Sequence, residues 1–212
     1  MTEIQIDINE VMRNTRRYWY IDGIPEIAGG IIIIAIALSY MLIYQIENQM
    51  TKNLLLGFGQ PALILLTSFF AGKLVTMCKQ KITYPRTGLI KFRKGKTNKQ
   101  IQRIFLVILI AAAVSAFVSF FASMISERFL PVLGSFFLGA YSWYLGYFNG
   151  VRRFYIVAGS IVIFGGIISW LNLGGGYPYI ILLIGIGLIW IVAGGWTLAS
   201  YLRQTQPISE EI

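Results

Sequence analysis

The sequence predicts an all-α membrane protein, a bundle of six transmembrane helices preceded by an amphipathic helix lying on the membrane surface. Three observations carry this expectation. The 212 residues are 56% hydrophobic and only 13% charged, too apolar for a soluble fold to be covered by polar side chains. Six apolar runs, at roughly 24 to 46, 54 to 77, 103 to 125, 129 to 150, 153 to 171 and 178 to 201, reach the ~20 residues that a helix needs to cross a bilayer core of about 30 Å. Finally, the cations alternate in density between the ends of these runs.

The opening "MTEIQIDINEVMRNTRRYWY" is polar and mixed in charge, without a short apolar core and a small-residue cleavage site. The first apolar run is therefore expected to stay in the mature chain. Ile8, Val11, Met12, Thr15 and Trp19 recur at helical spacing, while Arg13, Asn14, Arg16 and Arg17 fall elsewhere. Residues 1–23 accordingly read as an interfacial helix, with Tyr18, Trp19 and Tyr20 at headgroup level. In "YIDGIPEIAGG", Asp22 and Glu26 stand at the mouth of the first span around Pro25. Carboxylates there can bind cations or carry protons. The favoured reading is structural: Asp22 caps, Pro25 suits the first turn, and Glu26 complements the positive end of the helix dipole.

In the second span, "GFGQPAL" places Gly57, Gly59, Gln60 and Pro61 in the half nearer the outside. Proline removes one backbone donor and clashes with the preceding turn, so the helix is expected to kink or open at Pro61. Broken membrane helices form solute sites in transporters, which makes Gln60, Pro61, Gly57 and Gly59 the ligand-binding candidates. A kink that only improves packing is the commoner use of such a proline.

The stretch "CKQKITYPRTGLIKFRKGKTNKQIQR", residues 78 to 103, holds 9 of the 18 lysines and arginines and no acid. With the N-terminus inside, that side receives Arg13, Arg16, Arg17, these nine, Arg152, Arg153 and Arg203, leaving only Lys52 and Arg128 outside. This distribution predicts a multi-pass cell-membrane protein with both termini cytoplasmic. Lys73, near the inner end of the second span, is expected to snorkel to the interface. Lys79, Lys81, Arg86, Lys91, Arg93, Lys94, Lys96 and Lys99, with Arg16, Arg17 and Trp19, are the candidates for contact with anionic inner-leaflet headgroups or a partner protein. Within this loop, Pro85-Arg86-Thr87-Gly88 between β-prone residues reads as the turn of a short hairpin.

Small residues at three- and four-residue steps, including Ala112, Ser115, Ala116, Ser119, Ser123, Gly146, Gly150, Gly165, Ser169, Gly195 and Ala199, read as helix-packing positions. The cluster "YSWYLGYF" at 141 to 148 reads as an interfacial aromatic belt, or as the wall of an amphipathic pocket. "NLGGGYPY" lacks the strand-then-helix context of a phosphate loop. "NGVRR" divides the fourth and fifth spans. The chain thus divides into an interfacial segment (1–23), a transmembrane domain (24–202) containing the basic loop 78–103, and a cytoplasmic tail (203–212).

Histidine is absent and Cys78 stands alone, so metal sites, haem ligation and His-based catalysis lack their groups. No cofactor, metal or nucleic-acid partner is expected, and the chain reads as non-enzymatic. "RRYWYIDGIPEI" together with "KITYPRTGLIKFR" resembles a motif pair in a group of small, uncharacterised bacterial and archaeal integral membrane proteins. The resemblance covers two short stretches beside the first two spans. It implies a multi-span membrane protein and carries over no activity or ligand. Size and span count are also similar to the substrate-binding subunits of energy-coupling vitamin transporters, whose alanine-rich docking motif is missing from "GGIIIIAIALSY". The expected function is a membrane subunit that anchors or regulates a partner at the cytoplasmic face. The alternative is a small-solute transporter or substrate-binding subunit with its site near Pro61.

Overall fold

Apolar runs without competing side-chain hydrogen bonds leave the backbone one economical way to satisfy itself, and every regular element in the structure, a computed structural model, is a helix. It describes residues 17–87, 126–174 and 176–205, none of them in a strand. Helix α1 spans Ile24–Tyr44 with Pro25 in its first turn. After a short turn, α2 (Gln49–Leu54) starts at Asn48, whose side chain accepts from the N–H groups of Met50 and Thr51. A π-helical turn, Leu55–Gly59, leads without a break into α3 (Gln60–Ile82). A single turn α4 (Tyr84–Thr87) follows. Then come a 3₁₀ turn at Glu127–Phe129, α5 (Leu130–Asn149), α6 (Arg153–Leu171) and α7 (Tyr177–Gln204).

The helices lie side by side in the order α3, α1, α7, α6, α5, with the most extensive packing between α1 and α7 and between α5 and α6. The apolar core is the α6–α7 seam, where Phe154, Val157 and Ile161 meet Leu182, Ile186 and Trp190. The α1–α7 seam works differently. A Cβ on Gly30 would stand 2.5 Å from the Gly187 carbonyl oxygen, and one on Gly194 2.7 Å from that of Gly23. The two backbones touch, as small residues in membrane-type helix pairs allow.

Four helices among the described residues are long and apolar enough to cross a membrane: Ile24–Tyr44, Gln49–Ile82, Arg153–Leu171 and Tyr177–Gln204. The fourth expected span is the helix α5, which falls outside this set because its tyrosines, tryptophan and serines dilute its apolar residues. The third expected span, 103 to 125, and most of the expected interfacial helix, 1–16, lie outside the described residues. So do positions 88–102 of the basic loop. The break at "NGVRR" is present, with α5 ending at Asn149, Gly150 left-handed (φ 67°), and α6 beginning at Arg153.

One local expectation is corrected. Tyr84–Thr87 is helical and not the arm and turn of a hairpin, because the Thr87 hydroxyl donates to the Thr83 carbonyl and meets the Tyr18 and Tyr201 hydroxyls. Those bonds hold the turn in helical form. At Pro61 the helix is continuous and is preceded by a widened π turn, in which the Gln60 N–H reaches back to the Leu55 carbonyl.

Candidate functional site

Most of the described cations lie at the two ends of the bundle, and more of them at one end than at the other. Arg17, Lys79, Arg86, Arg153 and Arg203 share one end of the bundle, hereafter the basic end. Lys52, over the Tyr44 ring, and Arg128, bonded to Ser169, occupy the opposite end. At the basic end the structure builds a network of side chains that joins four separate stretches of chain.

Its first centre is Asp22. Gly23 follows at φ 71° with its Cα pressed against α7, so only glycine fits there. This turn aims Asp22 inward. Its Oδ1 accepts from the Ile24 N–H at 3.1 Å, and its Oδ2 accepts from Lys79 Nζ at 2.5 Å and Thr83 Oγ1 at 2.6 Å. Lys79 Nζ also donates to the Trp19 carbonyl at 2.8 Å and lies 4.9 Å from the Trp19 ring. The pair is buried, with Lys79 2% and Asp22 0% exposed.

The second centre is Glu26, one helical turn on and only 1% exposed. Arg153, at the start of α6, donates Nε to Glu26 Oε1 at 3.0 Å, and its terminal nitrogen bonds both that oxygen and the Tyr20 carbonyl. Both arginine bonds fall on one carboxylate oxygen, and Oε2 is buried without a partner. The Tyr20 ring packs edge-on against Phe154 at 5.3 Å. Burial, with smaller contributions from Tyr141 and Glu26, pushes its hydroxyl up to about 12. Around these groups a cleft of about 730 Å³ opens, lined by Arg17, Tyr18, Tyr20, Gly150, Arg152 and Arg153 among others. Arg153 is compensated by Glu26, whereas Arg17 and Arg152 have no carboxylate partner among the described residues. The cleft is therefore an electropositive surface on a fixed frame.

The residues expected from sequence fall in several places. Lys79, expected to face headgroups, is buried in its ion pair, because an inward carboxylate lies within reach. Arg86 is half-buried and donates to the Thr205 carbonyl. Trp19 is half-buried beneath Lys79, while Lys81 and Arg17 are exposed. Lys73 is exposed over the Phe69 ring. Arg16, Lys91, Arg93, Lys94, Lys96 and Lys99 lie outside the described residues. Gln60 is buried and bonded to Ser39, on the same two helices as Glu26 and Lys79 but toward their opposite ends. Gly57 and Pro61 are exposed, and Gly59 is half-buried against Leu55. The structure thus separates Gln60 from its three companions. Tyr141, Trp143, Tyr144 and Tyr147 face outward, while Ser142 and Gly146 pack inward.

Sequence reasoning missed the Asp22–Lys79 and Glu26–Arg153 pairings. A usable signal was present: Asp22 and Glu26 flank the start of the first span, at the end of the chain's spans where cations gather. Carboxylates at such a depth call for compensating charge. No family model matches the chain, and neither the curated proteins nor the solved structures hold a match to it.

Proposed function

We propose that the protein is a non-enzymatic membrane subunit that works through a partner at its basic end, which the distribution of cations assigns to the cytoplasmic side. One observation carries this reading: the buried Asp22–Lys79 pair and the half-buried Glu26–Arg153 pair tie the start of α1 and the segment before it to the end of α3 and the start of α6. Buried ion pairs contribute geometric definition more than stability. A partner engaging Arg17 and Arg152 therefore meets a surface whose orientation is coupled to three helices. Both uncompensated arginines are exposed and take no part in the ion pairs.

The test is crosslinking in native membranes with wild type and with the double variant Arg17→Gln/Arg152→Gln. A neighbouring protein captured by wild type and lost from the variant, with the melting temperature unchanged, is the expected result. The same neighbours in both, or none in either, would overturn the reading. The second reading, a solute-binding or transport subunit, has one observation in its favour: the buried, unpartnered oxygen of Gln60.

A further inference from the structure

Arg17, Tyr20, Ile21, Gly150, Arg152 and Arg153 line the cleft at the basic end, and no aspartate or glutamate among the described residues does. Glu26 lies behind the Arg153 guanidinium at 1% exposure, and Asp22 is fully buried in its pair with Lys79. Both carboxylates are neutralised inside the protein, so neither opposes an anion in the cleft. Arg17 and Arg152 are exposed and keep their positive charges without a carboxylate partner among the described residues.

The backbone adds donors to the same place. Gly150, left-handed at φ 67°, ends α5 and turns the chain so that α6 starts in the cleft wall. The Phe154 and Tyr155 N–H groups bond to the Val151 and Arg152 carbonyls, which leaves those of Arg152 and Arg153 without a backbone acceptor at the positive end of a 19-residue helix. Guanidiniums and free N–H groups together suit a phosphate, whose oxygens take several donors at once. Position decides the source of that phosphate. The cleft lies between the residues just before α1 and the start of α6, two helices long and apolar enough to cross a membrane, so in a membrane it opens at headgroup height. Ile21 in its wall and Tyr147, one helical turn before Gly150, are exposed beside it. A soluble anion has no use for such apolar surface, whereas a lipid has acyl chains to lay on it. Basic pockets between membrane helices at this height hold anionic lipid headgroups.

We propose that the cleft is a binding site for the phosphate group of an anionic phospholipid, held by Arg17, Arg152 and the N–H groups that open α6. Two uncompensated cations match a headgroup with two phosphodiesters better than one with a single charge, which gives the affinity order cardiolipin, phosphatidylglycerol, phosphatidylcholine. The site goes beyond the partner-coupled reading, since a lipid in the cleft needs no second protein. Because both draw on the same two arginines, the test is made with no partner present.

The experiment uses the purified full chain in detergent micelles and counts bound lipid by native mass spectrometry, with cardiolipin, phosphatidylglycerol and phosphatidylcholine as probes. The expected result is one cardiolipin retained per chain, roughly 25-fold tighter than phosphatidylcholine, from about fivefold for each of two basic residues near a lipid phosphate. Arg17→Gln and Arg152→Gln should each weaken cardiolipin by about fivefold. Lys81→Gln/Arg203→Gln, which removes two exposed cations outside the cleft, should leave it unchanged. Equal losses from the two pairs of substitutions would mean attraction by net charge alone and overturn the site. Equal retention of cardiolipin and phosphatidylcholine by wild type overturns it without recourse to any variant. Inorganic phosphate at the same concentration as the lipid should leave the lipid bound, and displacement by it would overturn the lipid as the source. A protein neighbour captured in native membranes, joined to no lipid preference in micelles, would sink the lipid site and leave the partner reading standing.

Discussion

The ammonium of Lys79 has three partners at once, the Asp22 carboxylate, the Trp19 carbonyl and the Trp19 ring. Removing one member of a buried pair strands the other as an uncompensated charge, so Lys79→Met should lower stability by about 3 to 5 kcal/mol. The double variant Asp22→Asn/Lys79→Met should recover more than half of that loss in detergent melts, because the asparagine oxygen still accepts from the Ile24 N–H and its NH₂ group can donate to the Thr83 hydroxyl, which rotates to accept. Additive losses would show that the pair acts through packing alone. Tyr20 gives a pH prediction. Its folded pKa is raised from 10.0 to about 12, so the fold favours the neutral phenol. That contribution is fully present below pH 10 and is lost as pH rises through about 12. Tyr20→Phe keeps the ring against Phe154 and should remove one late-titrating phenolate from the absorbance titration, together with its share of the alkaline destabilisation.

Among the elements, the α1–α7 seam allows a contrast between adjacent residues. A Cβ on Gly194 would meet the Gly23 carbonyl oxygen at 2.7 Å and Glu26 Cβ at 2.9 Å, whereas a Cβ on Gly195 meets nothing within 4 Å. Gly194→Ala should cost about 1 to 3 kcal/mol by forcing the helices apart, and Gly195→Ala should be neutral or stabilising by up to about 1 kcal/mol through helix propensity. Equal melting temperatures for the two would remove close backbone contact as the basis of the seam. Periodicity pointed to Gly195 and Ala199 as packing positions, yet both face outward or into open space. A stripe of small residues does not say which of its faces meets a neighbour. The helical turn at Tyr84–Thr87 has the same origin, since turn propensities there are worth less than the bonds that Tyr18 and Tyr201 make to Thr87.

For the molecule as a whole, orientation can be tested in a Cys78→Ser background, which removes the exposed native thiol. Asn48→Cys, at the end holding Lys52, should react with an impermeant thiol reagent on intact cells, and Gln204→Cys, at the basic end, only after permeabilisation. The reverse pattern would invert the assignment. The helical class, the helix at each apolar run within the described residues, the break at Gly150 and the gathering of cations at one end were all legible in the amino-acid order. Each depends on local quantities: apolar length, a left-handed glycine and charge position. Which helix faces which was not legible, and with it went the pairing of Asp22 with Lys79 and Glu26 with Arg153, and the burial of Gln60 while Gly57 and Pro61 stay exposed. In a chain apolar on nearly every face, hydrophobic periodicity no longer marks the inward side. The choice of neighbours then passes to backbone contact at Gly30 and Gly194 and to a few buried charges, whose partners lie from 57 to 127 residues away in sequence.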